Sequence, residues 1–230
     1  MGGAAFGSFQ KITVSVGWVY YETKDECSPS CIYSETSSLG PINVYRSTKL
    51  MGERMISDLT EKGSLCAGIL RYFNPVGAHK SGLIGESPKG VPNNLMPLVA
   101  QVVQGVRSHI TVFGNDYDTP DGTAIRDFIH IMDVADAHIS VLNHILHSRK
   151  NLLLNIGTGK GHSVLDIIQT YQDINQVKIN VQIGNRRNGD AAHICANVEK
   201  AKQELSWVAK YNLQDMCRDL HIWTTQKILN

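Results

Sequence analysis

The sequence has few of the features that mark secreted or membrane proteins. No apolar run reaches the roughly 18 residues of a membrane span, and the first residues lack the basic start and apolar stretch of a signal peptide. The five cysteines are odd in number and irregularly spaced, which excludes a disulfide framework. We therefore expect reduced cysteines, a cytosolic location and no membrane partner.

The sequence also has no large excess of positive or negative charge and no characteristic spacing of metal ligands. The net charge is +1, too small for the broad basic surface that binds nucleic acid. None of the nine histidines has HxH or HExxH spacing, and Cys27-Ser-Pro-Ser-Cys31 is not a CxxC pair. We predict no nucleic-acid partner and no metal site, and an anionic ligand would need a few local Arg and Lys residues.

Strand-like and helix-like stretches alternate along the chain, which predicts α/β architecture. Helices are predicted at Tyr45–Glu61, Asn94–Val106, Asp133–His147, Ser163–Tyr171, Asn197–Leu205 and Leu213–Ile228. Strands are predicted at Ile12–Val16, Cys66–Tyr72, Ile110–Phe113, Leu152–Ile156 and Val177–Ile183, and long loops at Glu22–Asn43 and Asn74–Pro92.

Tyr45 and Lys49 form the first candidate pair. Four residues apart on one helix, they share a face and can meet the same substrate atom. A nearby ammonium favours the phenolate, which could take a proton from a sugar hydroxyl. The spacing alone fits an ordinary surface helix equally well, so the pair needs support from the rest of the sequence.

That support comes from an ordered series of longer motifs. After Tyr45-Arg-Ser-Thr-Lys49 the chain contains Arg71-Tyr-Phe-Asn-Pro-Val-Gly-Ala-His79, Gly90-Val-Pro-Asn-Asn-Leu-Met-Pro97, Val112–Thr123, Ile125-Arg-Asp-Phe-Ile-His-Ile131 and Asn185-Arg-Arg-Asn-Gly-Asp190. In this order they closely resemble the UDP-glucose 4-epimerases, a family of extended short-chain dehydrogenases/reductases. The resemblance runs from about Tyr45 to the end of the chain.

The resemblance implies an α/β fold, with an incomplete Rossmann-like parallel sheet and a small C-terminal substrate-binding lobe. Residues 1–92 would be the remnant of the NAD-binding domain with the catalytic helix, and residues 93–230 the UDP-sugar-binding portion, part of which returns to the sheet. The implied activity is reversible 4-epimerisation of UDP-galactose and UDP-glucose through a 4-keto intermediate, with NAD as cofactor. A homodimer is a further implication.

Site residues follow from the matching positions. Tyr45 resembles the catalytic base, and Lys49 the residue that favours its phenolate and holds the nicotinamide ribose. Ser15 is the candidate for the hydroxyl beside Tyr45. The other residues that the resemblance places beside the cofactor are Tyr72, Phe73 and Pro75.

On the substrate side, Asn74 resembles a direct contact, and Asn94 and the backbone of Leu95 resemble residues that meet the diphosphate. Phe113 is similar to the residue on the uracil side.

Two arginines, Arg126 and Arg187, resemble the diphosphate clamps, since a guanidinium fork suits phosphate oxygens. Asp190 resembles a uridine ribose contact. Ile194 lies where the family tunes room for a 2-N-acetyl group, and its intermediate size predicts some tolerance of UDP-N-acetyl sugars.

The segment before Tyr45 departs from the family. Residues 1–8 only faintly resemble a Gly-rich phosphate-binding turn, and no acid occurs before Glu22. Tyr21 and Arg46 stand where the family has glycine. We therefore expect the N-terminal NAD-binding half to be missing. Two alternatives stay open, a non-catalytic UDP-sugar-binding remnant and a related nucleotide-sugar dehydratase or decarboxylase.

Overall fold

A computed structural model describes residues 11–18, 31–41, 44–63, 65–90, 92 and 94–229. Strands in these ranges are β1 (Lys11–Trp18), β2 (Ile32–Tyr33), β3 (Leu65–Tyr72), β4 (Asn74–Val76), β5 (Ile110–Phe113), β6 (Ile125–His130), β7 (Leu152–Ile156), β8 (Gly161–Ser163), β9 (Val181–Gly184) and β10 (His193–Ala196). Helices are α1 (Val44–Glu61), α2 (Leu95–Val103), α3 (Ile131–Ser148), α4 (Val164–Asn175), α5 (Glu199–Leu205) and α6 (Leu213–Leu229). No helix in the described part has the length and apolar character to cross a bilayer.

The first sheet is parallel and has the order β1-β3-β7. Its central strand β3 is almost entirely buried, as expected for a parallel strand that is covered on both faces. Gly68 allows α3 to approach closely, because a Cβ at this position would lie 2.1 Å from Val141. Leu70 is fully buried in the core between this sheet, α3 and α5.

A second sheet has the order β2-β10-β6-β4, with β8 antiparallel to β6, and β5 pairs separately with β9. Only Phe73 separates β3 from β4, so the chain passes within one residue from the first sheet to the second. The Phe73 N–H donates to the Ile156 carbonyl at 3.0 Å, which fixes this crossing to β7. The second core lies between α2, α4 and α6 and includes Val99, Tyr171 and Leu220.

The predicted α/β class and most elements are confirmed. The helix predicted at Tyr45–Glu61 is α1, and the strands predicted at Ile110–Phe113 and Leu152–Ile156 are β5 and β7. Ser163 caps α4 as predicted, since its hydroxyl accepts the Asp166 N–H at 2.9 Å. The division at residues 92 and 93 stays a prediction.

Five predictions need correction. The helix expected from Asp133 begins at Ile131, because the His130 side chain accepts the Met132 N–H and so caps it. The strand expected at Val177–Ile183 is only β9, since the Ile179 N–H is bound by the Gln172 side chain. The two predicted loops contain β2 and β4. Cys31 is disulfide-bonded rather than reduced.

Candidate functional site

The Tyr45–Lys49 pair stands at the start of α1. The Lys49 Nζ lies 5.3 Å from the centroid of the Tyr45 ring, so the two side chains share one face as their spacing predicts. Tyr45 is 52% exposed. Burial raises the pKa of Tyr72, the last residue of β3, and the nearby Tyr45 raises it further. The pair therefore lies at the carboxyl end of β3.

A buried ion pair holds α1 against this strand. The Arg71 guanidinium on β3 donates to both carboxylate oxygens of Glu53, at 2.9 and 2.5 Å, and to the Glu35 backbone carbonyl at 3.0 Å. The side chains are 2% and 10% exposed. Glu53 follows Tyr45 and Lys49 at helical spacing on the same face, so this contact sets the position of α1.

Ser15 lies on β1, and Phe73 lies between β3 and β4. The backbone of Ser15 pairs with Ile69, three residues before the Trp18–Tyr72 pair that ends the β1–β3 ladder. The Ser15 side chain lies outside the described residues, so its predicted role stays a prediction. The Phe73 ring is 2% exposed and packs in a small core cluster, so a role beside a cofactor would fall to its backbone.

Four of the predicted residues line one small cleft. Asn74, Pro75, Asn94 and Leu95 surround a volume of about 50 Å³ next to β4. Asn94 is the N-cap of α2, and no side-chain capping hydrogen bond from it is present in the described part of the chain. A helix N-terminus attracts anions, so the Asn94 amide and the first turn of α2 suit a phosphate.

The cleft also contains Glu86, a residue that the sequence reasoning did not single out. Desolvation raises the pKa of the Glu86 carboxyl. Its backbone carbonyl accepts the Trp223 indole N–H at 3.1 Å, which ties the long loop to α6. The acid in a Gly- and Pro-rich loop was the available sequence signal, but its partner in α6 could not be predicted.

Arg126 is a largely buried cation on β6 of the second sheet. Its side chain is 15% exposed and donates to the Ile125 and Ala191 carbonyls, both at 2.8 Å. One guanidinium nitrogen lies 3.7 Å from the Asp190 carboxylate. Burial lowers the pKa of Arg126, Asp190 opposes the shift, and the charge of Arg46 adds to it. Arg46, the neighbour of Tyr45, is therefore within electrostatic reach of Arg126.

Ile194 lies beside Arg126 because β10 pairs in parallel with β6. It is partly buried and packs against the cluster that contains Tyr33 and Phe73. The Arg126 charge influences the pKa of Tyr33, although burial raises this pKa overall. The pairing thus brings the predicted ribose, phosphate and N-acetyl contacts into one neighbourhood.

Two cation–π contacts complete this region. The Arg187 guanidinium lies 3.9 Å from the Phe113 ring centroid, and the Arg186 guanidinium lies 4.2 Å from that of Tyr117. The parallel pairing of β5 with β9, which ends in Phe113 opposite Gly184, sets these contacts. An aromatic ring beside a guanidinium suits a nucleotide base and its phosphates. Tyr117 was not among the predicted residues.

The fold and the site define the class of protein. A parallel sheet with a Tyr–Lys pair at its carboxyl edge is the arrangement of Rossmann-like α/β proteins, which bind ligands at that edge. Residues 13–157 match the NAD dependent epimerase/dehydratase family. The chain belongs to this family.

Individual relatives agree with the assignment. The chain is 44% identical over 196 residues to a UDP-glucose 4-epimerase from Bacillus subtilis, covering 85% of this chain and 58% of that protein. It is 48% identical over 199 residues to a UDP-glucose 4-epimerase from Dictyostelium discoideum, covering 83% of this chain and 56% of that protein. A crystal structure of UDP-glucose-4-epimerase from Stenotrophomonas maltophila contains bound NAD and formylated UDP-arabinopyranose. It superposes on this chain with TM-score 0.90 at 43% identity, covering 95% of this chain and 65% of that protein. The chain thus spans less than two thirds of each of these proteins.

Proposed function

We propose that this chain carries the catalytic helix and the UDP-sugar site of an NAD-dependent epimerase that interconverts UDP-galactose and UDP-glucose. One observation carries the proposal. Tyr45 and Lys49 lie on α1, which the Arg71–Glu53 pair holds against β3, and Arg126 lies on β6, which pairs with β4. Because only Phe73 separates β3 from β4, these elements bring a proton-transfer group and an anion-binding group to adjoining parts of the fold.

The proposed chemistry assigns proton transfer to Tyr45. Its phenolate would take the proton of the sugar 4-hydroxyl and later return it, while the Lys49 ammonium favours the phenolate. NAD, when bound, supplies the hydride acceptor for the sugar 4-carbon. The exposed Tyr45 and the partly buried Lys49, at the edge of parallel strands, suit the nicotinamide ribose. Arg126 and Arg187 would hold the diphosphate. A cytosolic location and a homodimer stay sequence predictions.

The test is product analysis with the purified chain, UDP-galactose and added NAD. UDP-glucose as the sole product supports the proposal, whereas a dehydrated or decarboxylated sugar supports the related enzyme classes. A chain that binds UDP by calorimetry but retains no NAD and forms no product supports the non-catalytic alternative. Arg126 and Asp190 would then belong to a UDP-binding site without catalytic activity.

Arg126→Met is expected to weaken UDP binding. A charge-assisted hydrogen bond contributes about 1.5–3 kcal/mol, which corresponds to roughly a ten- to hundredfold rise in Kd. Calorimetry with UDP measures the change, and the melting temperature without ligand reports any loss of folding. Arg218→Met is the matched control, because Arg218 pairs with Asp215 on α6 and is about half exposed. Unchanged UDP binding in Arg126→Met would contradict the proposed diphosphate site.

Ile194→Tyr is expected to lower activity on UDP-N-acetylgalactosamine relative to UDP-galactose. Ile194 is partly buried beside Arg126, so a larger side chain reduces the space near the sugar. A shape change in a substrate pocket shifts specificity by roughly tenfold or more. The ratio of kcat/KM for the two substrates is the measurement, with Ile194→Val as the smaller control. A ratio that stays constant across the three proteins contradicts the assignment.

A further inference from the structure

His130 is a fully buried histidine where several elements meet. It is the last residue of β6. Its ring contacts the turn that follows β4, the first turn of α3, the segment that precedes α6, and α6 itself. A buried imidazole needs a partner for each ring nitrogen, so the partners of this ring determine which protonation state the fold accepts.

The hydrogen bonds of the ring fix its tautomer. The Nδ1 atom of His130 accepts the Met132 N–H at 3.0 Å, so this nitrogen carries no proton. The proton of the neutral ring is therefore on Nε2, which donates to the Asp219 carboxylate at 3.3 Å. The Tyr211 ring stacks on the imidazole, with 4.2 Å between the two centroids. The ring is thus held at both nitrogens and on one face.

The same residue lies at the end of one wall of the candidate cleft. In the β4–β6 pair, Val76 lies opposite His130. Two residues earlier on each strand, Asn74 lies opposite Phe128, and both line the cleft. Gly77 follows β4 with a φ of +84°, and a Cβ there would lie 2.9 Å from Nε2 of His130. The imidazole therefore packs closely against the turn that follows β4.

A second proton on the ring is incompatible with these contacts. A protonated Nδ1 is a donor, and it would face the Met132 N–H, which is also a donor. Helix α3 would lose the cap that His130 gives it. A positive charge would also enter a fully buried position beside the turn that follows β4.

The charged groups around the ring come from two helices. Burial lowers the pKa of His130, and Asp219 and Asp215 on α6 and Asp133 on α3 oppose this shift. Tyr211 is the titratable group on the stacked face, and the residue of the turn after β4 that meets the ring is a glycine. Because burial outweighs the carboxylates, the folded chain keeps the imidazole neutral at a pH where an exposed histidine, whose pKa is about 6.5, takes up a proton.

We propose that His130 is a positioning residue that holds the β4–β6 wall of the cleft in place only in its neutral form, with the proton on Nε2. Protonation removes the cap of α3 and the fixed end of the β4–β6 pair, so both stability and ligand affinity fall with pH. The effect on UDP binding rests on the proposed function. The effect on unfolding does not, so the two can fail separately.

Two variants that cannot titrate separate the two nitrogens. In His130→Asn the side-chain oxygen can still cap α3, because Asn is a preferred N-cap residue. In His130→Gln the side-chain amide can still donate to Asp219. The matched control is His147→Gln, which removes an exposed histidine from the last turn of α3.

Urea unfolding from about pH 7.5 to about pH 5.5 gives the first readout. Below about pH 6.5 the unfolded chain takes up a proton on His130 and the folded chain does not. The unfolding equilibrium constant should therefore rise by up to about tenfold per pH unit as the pH falls. This part of the pH dependence should be absent from both His130 variants and present in the His147→Gln control.

Calorimetry with UDP gives a readout that a purely structural role does not change. At about pH 5.5, in the absence of urea, the unsubstituted chain should bind UDP roughly threefold more weakly than the change seen in the His130 variants accounts for, because only part of the folded chain has the intact cleft. The variants correct for the titration of UDP itself. The His147→Gln control should behave as the unsubstituted chain does.

Two outcomes overturn the inference. An unfolding equilibrium with the same pH dependence in the unsubstituted chain and in both His130 variants shows that folding does not depend on neutral His130. A pH-dependent stability without the matching change in UDP affinity shows that His130 supports the fold but not the cleft. A chain that binds no UDP at any pH overturns the proposed function, and the unfolding measurement then decides the role of His130 alone.

Discussion

Tyr45→Phe is expected to reduce turnover of UDP-galactose by about 10²–10⁴-fold, the usual contribution of a general acid–base group. The substitution keeps the ring beside Lys49 and removes only the phenolic oxygen that would exchange the proton. Because that oxygen acts on the reacting hydroxyl, kcat should fall much more than KM changes. Initial rates of UDP-glucose formation with added NAD measure the effect.

A matched control distinguishes chemistry from folding. Tyr211→Phe removes a phenol that stacks on His130, at 4.2 Å between ring centroids, and takes no part in the proposed site. It should keep the turnover of the unsubstituted chain. A Tyr45→Phe chain that turns over at the normal rate would show that Tyr45 is not the base. Calorimetry with UDP should give the same Kd for both variants.

Glu53→Ala should lower the free energy of unfolding by about 3–5 kcal/mol, because it leaves the Arg71 guanidinium buried without its carboxylate. The contact has two hydrogen bonds and connects α1 to β3, so the loss also loosens the helix that carries Tyr45. Urea unfolding of the variant and the unsubstituted chain measures the difference.

Two further variants make this result specific. Glu53→Leu combined with Arg71→Met replaces both charges by apolar groups and should recover most of the stability, since no buried charge stays unpaired. Lys210→Met breaks an exposed pair with Asp136 and should change stability by no more than about 1 kcal/mol. A Glu53→Ala chain as stable as the Lys210→Met chain would contradict the role of the buried pair.

The sequence predicted the helices and strands that are long enough to show a hydrophobic pattern of their own. The helix α1, with 18 residues, and the apolar run of β3, with eight, are long enough to be predicted from sequence. By contrast, β2 has two residues and β10 has four, and each exists as a strand only through pairing with a distant segment. Such pairing has no local signal.

The site divides in the same way. Tyr45 and Lys49 meet because of helix geometry, so their spacing sufficed to predict the contact. The Arg126–Asp190 contact depends on the pairing of β6 with β10. Arg126 and Ala191, whose carbonyl it binds, are 65 residues apart in sequence. Glu86 was not predicted for a related reason, since its position in the cleft beside Asn94 depends on the folded chain.

The crossing at Phe73 has a consequence for how such a sequence can be inherited. Strands from before residue 92 pair with strands from after it in both sheets, β3 with β7 and β4 with β6. A genetic crossover between diverged relatives anywhere from residue 77 to residue 124 would therefore replace one partner in both of these strand pairs at once, and in the β2–β10 pair as well. Recombination in this stretch is productive only when all of these strand interfaces match, so the two parts of the chain must diverge together.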